Sequence, residues 1–421
     1  KGIQDQGNSN APESNDQEFP ESLPLLGSAA QDLTNNPSGR RDFLKMLGFS
    51  VSAAVVAASC EMPIRKSIPY VFKPEEITPG MPTYYASTYS KGGDVQSILV
   101  KTREGRPIKI EGNPSDLAAT NGGTGSRVQA SVLELYSNKR LQKPMIRNEK
   151  DELEESSWEQ MDKEVMAALG SGAKVLLLTG SMASPSEKAA MAKLIEKYPN
   201  VEHVAYDATS YYGVTSAFMA LTGSTQPAMP TYQFENADTI VSVNADFLGE
   251  WISPEQFAAA YISNRKVDEN HTHMSRHIHI ESRLSITGSN ADDRIALRPS
   301  EQGLAVVYLY NKVAKATGNP AGPGVSFKTE GVADKLDAVA EELIAAKGKS
   351  LFVTGLNDTH VQYLGLAINH MLGNIGADKS VNLDFPTITK HGDDFAATEA
   401  IGKIGSSYKG LITYGCNPVY N

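Results

Sequence analysis

Six short, largely apolar runs constrain this chain more than any other feature: residues 174–179 (KVLLLT), 201–206, 239–243 (TIVSV), 277–280, 350–354 (SLFVT) and 411–414. Most are followed by Gly, Asn or Ser, and stretches of helical character such as 185–197 lie between them. A strand that is apolar on both faces has to be covered on both sides. The alternation therefore predicts an α/β fold, a Rossmann-like and mostly parallel sheet with helices on both faces. Loops leaving the carboxyl ends of such strands border a crevice where ligands bind. There is no Gly-x-Gly-x-x-Gly and no Walker lysine motif, so a standard dinucleotide or P-loop site is not expected.

Ahead of this pattern, residues 83–111 read as strands. Val95, Ile98 and Val100 lead into the turn Arg103-Glu104-Gly105-Arg106, after which Ile108 and Ile110 alternate with lysines, a β-hairpin signature. A helix is expected over 130–136, and Ser156-Ser157-Trp158-Glu159 opens another with cap chemistry. The 421 residues suffice for two or three domains. The expected division is a polar leader (1–37), an export segment (38–60), an extended and β-rich part (61–150) and a Rossmann-like region (151–421) truncated at its C-terminal side. The Gly- and Pro-rich run 318–324 reads as an exposed connection.

Charge and cysteine usage narrow the chemistry. A net charge of −10 argues against a general nucleic-acid binder, which needs a basic footprint. Two cysteines, Cys60 and Cys416, are too few for a disulfide framework or a four-thiolate metal site. The longest apolar stretch, 46–59, is shorter than a membrane span and has the length of a signal-peptide apolar region.

That stretch follows Ser38-Gly39-Arg40-Arg41-Asp42-Phe43-Leu44-Lys45, the order of a twin-arginine export signal with Arg40 and Arg41 as its cations. Ala57-Ala58-Ser59-Cys60 is similar to a lipobox, in which Cys60 would be lipidated and tether the chain to a membrane surface. The other reading of Cys60 is a small buried cysteine in an uncleaved segment.

His271, His273, His277 and His279 form the one dense group of candidate ligands. His277 and His279 share a strand face, which suits a metal site geometrically; the competing reading is a solvated strand face. His360, His370 and His391 are scattered, and His370 on an apolar helix reads as a core histidine. Asp292-Asp293 and Asp393-Asp394 read as helix caps or turns, and no nucleophile elbow or catalytic carboxylate pair can be singled out.

From residue 83 to the end, an ordered set of segments resembles the large subunit of molybdopterin oxidoreductases. It comprises Arg103 to Pro114 (REGRPIKIEGNP), Leu135-Tyr136 with Arg140-Leu141-Gln142-Lys143-Pro144, the Trp158 helix start, Glu235-Asn236-Ala237-Asp238 before TIVSV, Arg298-Pro299, and Gly415-Cys416-Asn417-Pro418. In that family cysteines on either side of the first hairpin hold a four-iron cluster; here neither 83–94 nor 128–130 contains one. The resemblance sets the molybdenum-ligand loop at 207–212, with Ser210 as the counterpart of the ligand, although a serine there equally suits a helix cap. The nucleotide-contacting turn reads Arg298-Pro299-Ser300-Glu301-Gln302-Gly303, with its acidic residue displaced.

The leader together with Lys66-Ser67-Ile68-Pro69-Tyr70-Val71 resembles a narrower group. These are the molybdopterin-oxidoreductase-like iron–sulfur subunits, with variant twin-arginine leaders, of bacterial alternative complex III. This implies a non-catalytic, molybdopterin-like half with no cofactor of its own, and iron–sulfur clusters in a further C-terminal portion. The implied partners are multihaem cytochrome c and quinol-binding membrane subunits of a respiratory complex. The implied location is the periplasmic face of the inner membrane, peripheral or lipid-anchored. Two alternatives stay open: a catalytic molybdopterin oxidoreductase of the polysulfide or thiosulfate reductase type, with its pterin, or a secreted α/β binding module.

Overall fold

Alternating residues early in the described part of the chain build an antiparallel meander, β1 (Thr83–Lys91), β2 (Asp94–Arg103) and β3 (Arg106–Gly112). Glu104 and Gly105 join β2 to β3 at φ of 53° and 76°, the paired left-handed conformation that matches the twist of a tight hairpin. Ile98 and Ile110 pack on Val128 of the short helix α1 (Ser126–Ala130), which continues as a 3₁₀ helix, Ser131–Tyr136. This is the computed structural model of the chain, and it describes residues 78–115, 122–269 and 272–420, all within the compact unit Glu75–Asn421. The polar leader, Arg40, Arg41, Cys60, His271 and most of the proline-punctuated segment fall outside the described residues. Among the described residues, no helix is long and apolar enough to cross a membrane.

A small hairpin, β4 (Met145–Arg147) with β5 (Leu153–Glu155), leads to α2 (Trp158–Gly170). The Ser157 hydroxyl accepts from the Gln160 amide at 3.2 Å, as its cap position requires. There follow β6 (Val175–Thr179), α3 (Pro185–Lys197) and β7 (Val201–Ala205), then α4 (Tyr212–Thr222), β8 (Met229–Tyr232) and β9 (Thr239–Val243). Next come α5 (Pro254–Ser263), β10 (Arg276–Glu281), α6 (Ile286–Asn290), β11 (Asp293–Ala296), α7 (Pro299–Thr317) and α8 (Val332–Ala345). The last elements are β12 (Ser350–Thr354), α9 (Thr359–Met371), β13 (Val381–Thr387), α10 (Asp394–Gly402) and β14 (Gly410–Tyr414).

The α/β pattern read from the sequence is present, but its strands divide between two parallel sheets. One has the order β11-β10-β9-β12, the other β14-β6-β7. Helices cover both faces of each, because both faces are apolar. On the four-stranded sheet, Val241, Val243, Ile278, Ile280 and Phe352 face α7 and α8, while Ile240, Leu351 and Val353 face Phe257 and Tyr261 of α5 and Ala217 of α4. On the three-stranded sheet, Val175 and Leu177 meet Leu169 of α2, and Leu176 and Leu178 meet Ala400 of α10.

In each sheet the chain order reverses beside the first strand laid down. From β9 it runs to β10 and β11, then returns to β12 on the other side of β9. From β6 it runs to β7, and β14 later joins the opposite side of β6. Such reversals part the loops at the carboxyl ends of two neighbouring strands and leave a crevice there.

Candidate functional site at the carboxyl ends of two parallel sheets

Both reversals open onto cavities. At the three-stranded sheet a cavity of about 470 Å³ is bordered by Gly180 after β6, Tyr206 to Thr209 after β7, and Gly415 and Cys416 after β14. At the four-stranded sheet one of about 260 Å³ is bordered by Asn244 after β9, Glu281 and Arg283 at the end of β10, and Gly355 after β12. Thr209 lines both, so the loop between β7 and α4 is a shared wall.

The strand ends approach closely at each reversal. A Cβ on Gly180 would lie 2.8 Å from the Gly415 carbonyl oxygen, and one on Gly355 would lie 2.1 Å from that of Asn244. Asn244 itself has φ 52°, a left-handed conformation that asparagine tolerates. The sequence signal for these positions was the Gly or Asn that closes each apolar run; their pairing across the sheets was not readable from it.

Beneath the shared loop lies a buried polar knot. The Asp207 carboxyl accepts from the Ser181 amide (3.1 Å), the Ser181 hydroxyl (2.6 Å) and the Gly392 amide (3.0 Å). The Ser181 hydroxyl in turn accepts from the His391 amide at 2.8 Å, and the His391 ring Nε2 accepts from the Met182 amide at 3.3 Å. Burial lowers the pKa of His391, which suits that acceptor role. Lys390, next in the same segment, donates to the Gly92 carbonyl and stands 5.7 Å over the Tyr211 ring. The Tyr211 hydroxyl accepts from the Ile252 amide (2.9 Å) and faces the Glu250 carbonyl (3.1 Å), bracing Ile252 at φ 58°, a conformation β-branched residues avoid.

Ser210 lies on the wall of the smaller cavity, and its hydroxyl accepts from the Tyr212 amide at 3.0 Å, supporting the start of α4. Glu301, in the turn compared with a nucleotide-contacting motif, is 3% exposed and engaged elsewhere. Its carboxyl accepts from the Thr329 hydroxyl and the amides of Lys328 and Thr329, contacts that hold it below the ordinary carboxylate range. Cys416 is free, and burial pushes its thiol pKa up, away from thiolate chemistry.

Of the two regions that would flank an iron–sulfur cluster, 83–94 contributes Gly93 and Asp94, and 128–130 contributes Val128, to the lining of a further cavity of about 590 Å³, which also takes in Gln96, residues 123–127 and Glu255. Gln96 accepts from the Thr124 hydroxyl at 3.2 Å, and Arg127 pairs with Asp94. Four soft anionic ligands are what such a cluster requires, and these side chains do not fit it.

His277 and His279 do share a face, but that face is not solvated, which corrects one of the two sequence readings. They are 0% and 1% exposed, and Tyr261 of α5 packs against the His277 ring. Their ring nitrogens are all engaged: His277 with Ser242 (3.0 Å) and Tyr261 (3.2 Å), His279 with Ser242 and Glu281 (3.1 Å). Among the described residues no group of three or more His, Cys, Asp or Glu could hold a metal ion. His273 is exposed, and His370, expected in the core, is exposed too, at the last turn of α9. Asp393 caps α10, accepting from the amides of Phe395 and Ala396, as its sequence position suggested.

Burial pushes His277 down to about 3 from an ordinary value of 6.5. The unfolded chain then takes up a proton below the ordinary value while the folded chain does not, so stability falls as the medium is acidified between the two values. By about pH 5 the expected loss from His277 alone is about 2 kcal/mol. Urea unfolding at neutral and acid pH checks this, with His277→Gln expected to flatten the acid limb by about one proton.

The menaquinone reductase molybdopterin-binding-like subunit of Nitratidesulfovibrio vulgaris (strain Hildenborough) is 24% identical over 372 residues, covering 77% of this chain and 50% of that protein. The chain thus spans half the length of this curated relative. Among solved structures, acetylene hydratase from Pelobacter acetylenicus is similar at a TM-score of 0.44 and 11% identity, covering 70% of this chain and 42% of that one. The formyltransferase/hydrolase complex from Methylorubrum extorquens is similar at a TM-score of 0.33 and 18% identity, covering 52% of this chain and 56% of that one. Residues 140–319, which include the shared loop and the ends of β9 and β10, match the molybdopterin oxidoreductase family model, so this part of the chain is a molybdopterin oxidoreductase-like domain.

Proposed function

We propose that this chain is the cofactor-poor, structural half of an exported electron-transfer subunit in a quinol-handling respiratory complex of the alternative complex III type. The observation that carries the reading is the cavity that Asp94 and Val128, from the two cluster-flanking regions, line together with Gln96, Thr124, Arg127 and Glu255, with no thiol among its lining residues. The relative is by its name a molybdopterin-binding-like subunit of a menaquinone reductase, which supports a place in a membrane respiratory complex. On this reading Arg40 and Arg41 direct export, Cys60 provides a lipid anchor at the periplasmic face, and iron–sulfur clusters belong to a further portion of the protein. The neighbours in the complex are multihaem cytochrome c and quinol-binding membrane subunits.

Metal analysis of the purified full-length protein tests it: molybdenum is expected to be far below one atom per chain, and a stoichiometric amount overturns the reading. A catalytic molybdopterin enzyme is the competing reading, favoured by the crevice itself and by Ser210 on its wall. Acid extraction separates the two, since fluorescent pterin is released only under the second.

A further inference from the structure

One wall of the smaller cavity is formed by Glu281 and His279, and behind them a line of polar side chains crosses the sheet. The line has a single consistent direction. Burial alone would raise the Glu281 pKa, but hydrogen bonds from Ser285 and Arg294 outweigh it and hold the group ionised. A carboxylate only accepts, so the His279 Nε2 facing it at 3.1 Å carries the proton. Burial keeps His279 neutral, which leaves Nδ1 bare and makes the Ser242 hydroxyl its donor. With its only proton used, Ser242 Oγ accepts from His277 Nε2 at 3.0 Å. His277 is neutral for the same reason, so its Nδ1 accepts from the Tyr261 hydroxyl at 3.2 Å.

The neighbouring charges are themselves engaged. Arg265 pairs with Asp292, which also accepts from the His277 amide; Arg294 pairs with Glu281; and Asp246 accepts from the amide and hydroxyl of Thr287. Every donor in the line points toward Glu281. At the far end Tyr261 has a second acceptor ready, the carbonyl of the exposed Asn290, at 3.1 Å.

We propose that Tyr261, His277, Ser242, His279 and Glu281 form a proton relay that links the Asn290 side of the sheet to the crevice. Hydronium at the far end protonates the Tyr261 oxygen, whose original proton passes to His277 Nδ1. The His277 Nε2 proton moves to Ser242, the Ser242 proton to His279 Nδ1, and the His279 Nε2 proton to Glu281. Tyr261 and Ser242 each form one O–H bond and break one, Glu281 forms one, each ring trades an Nε2–H for an Nδ1–H, and hydronium becomes water. The net result is one proton delivered to the Glu281 carboxylate on the crevice wall, with neither histidine left charged. Afterwards Tyr261 donates to Asn290, the acceptor the reversed line needs. The relay is built from this chain's own residues and does not rest on what the crevice holds.

The test is nitrogen NMR of the full chain labelled on histidine. In the unmodified protein both rings are expected as neutral Nε2–H forms. In Glu281→Gln, Arg294, which donates to Oε1, draws the amide oxygen to that position, turning the amide NH₂ toward His279. Both His279 and His277 are then expected to switch to Nδ1–H, while in Glu281→Gln with Ser242→Ala only His279 switches. A His277 that keeps Nε2–H in the single variant overturns the relay. Should that variant not fold, Tyr261→Phe keeps the ring and removes the entry hydroxyl. Solvent exchange of the two ring N–H protons is then expected to slow about tenfold or more, equivalent to about 1.4 kcal/mol of barrier. Unchanged exchange overturns it as well.

Discussion

Replacing Asp207 by alanine is expected to cost about 4 kcal/mol of folding stability. Asp207 is 7% exposed, and its carboxyl accepts from the Ser181 amide, the Ser181 hydroxyl and the Gly392 amide. Alanine leaves all three donors buried without an acceptor, and each unmet donor costs about 1–3 kcal/mol. The damage extends along the chain, because the segment around Lys390 and His391 is fastened to the end of β6 through Ser181 and Met182. Asp207→Asn preserves the volume and can keep its oxygen toward the Ser181 hydroxyl and Gly392 amide, turning its NH₂ toward the Ser181 amide alone, so a smaller loss of about 2 kcal/mol is expected. Urea unfolding measures both, and hydrogen exchange at the Gly392 and Ser181 amides should accelerate in the alanine variant before global unfolding. A midpoint unchanged in Asp207→Ala would mean that the knot is not made in solution.

That knot was invisible in the sequence, and the reason is distance along the chain. Asp207 and Gly392 are 185 residues apart, and no local pattern marks an aspartate as the acceptor for so remote an amide. The apolar strands were legible because each is a run such as VLLLT with both faces buried, and α3 was legible from its bounds inward. Their division into two sheets was not, since β14 pairs with β6 only after the whole four-stranded sheet has intervened. The tight turn at Glu104 and Gly105 was also local and was read correctly.

The histidine strand misled for a physical reason. Polar residues at every second position normally mark a face turned to water. Here His277 and His279 are buried, and the partners that make this tolerable, Ser242 and Tyr261, come from β9 and α5. Register places His279 opposite Ser242, a fact that the spacing within one strand does not contain. His370 failed in the opposite sense: the apolar helix it belongs to is buried on one side, and the residue falls on the other.

Gly355→Ala is expected to destabilise the protein by about 3 kcal/mol, through a collision rather than a lost bond. The new methyl would start 2.1 Å from the Asn244 carbonyl oxygen, far inside contact distance, so backbone has to move. Neither side can move freely. The Gly355 amide donates to Val243 at 2.9 Å, and the Asn244 amide donates to Ile280 at 2.8 Å, so each loop is tied to the strand it would have to leave. Relief would therefore pull β12 from β9 at the reversal and widen the cavity there. Gly180→Ala meets Gly415 at 2.8 Å, a milder approach, and about 1 kcal/mol is expected. Gly303, inside α7, has only the Val361 methyl at 3.8 Å, so the same substitution there should stabilise by up to about 1 kcal/mol through helix propensity. Urea midpoints for the three variants thus have a predicted order and a change of sign. If Gly355→Ala is as well tolerated as Gly303→Ala, the two strand ends do not cross as closely as the geometry requires.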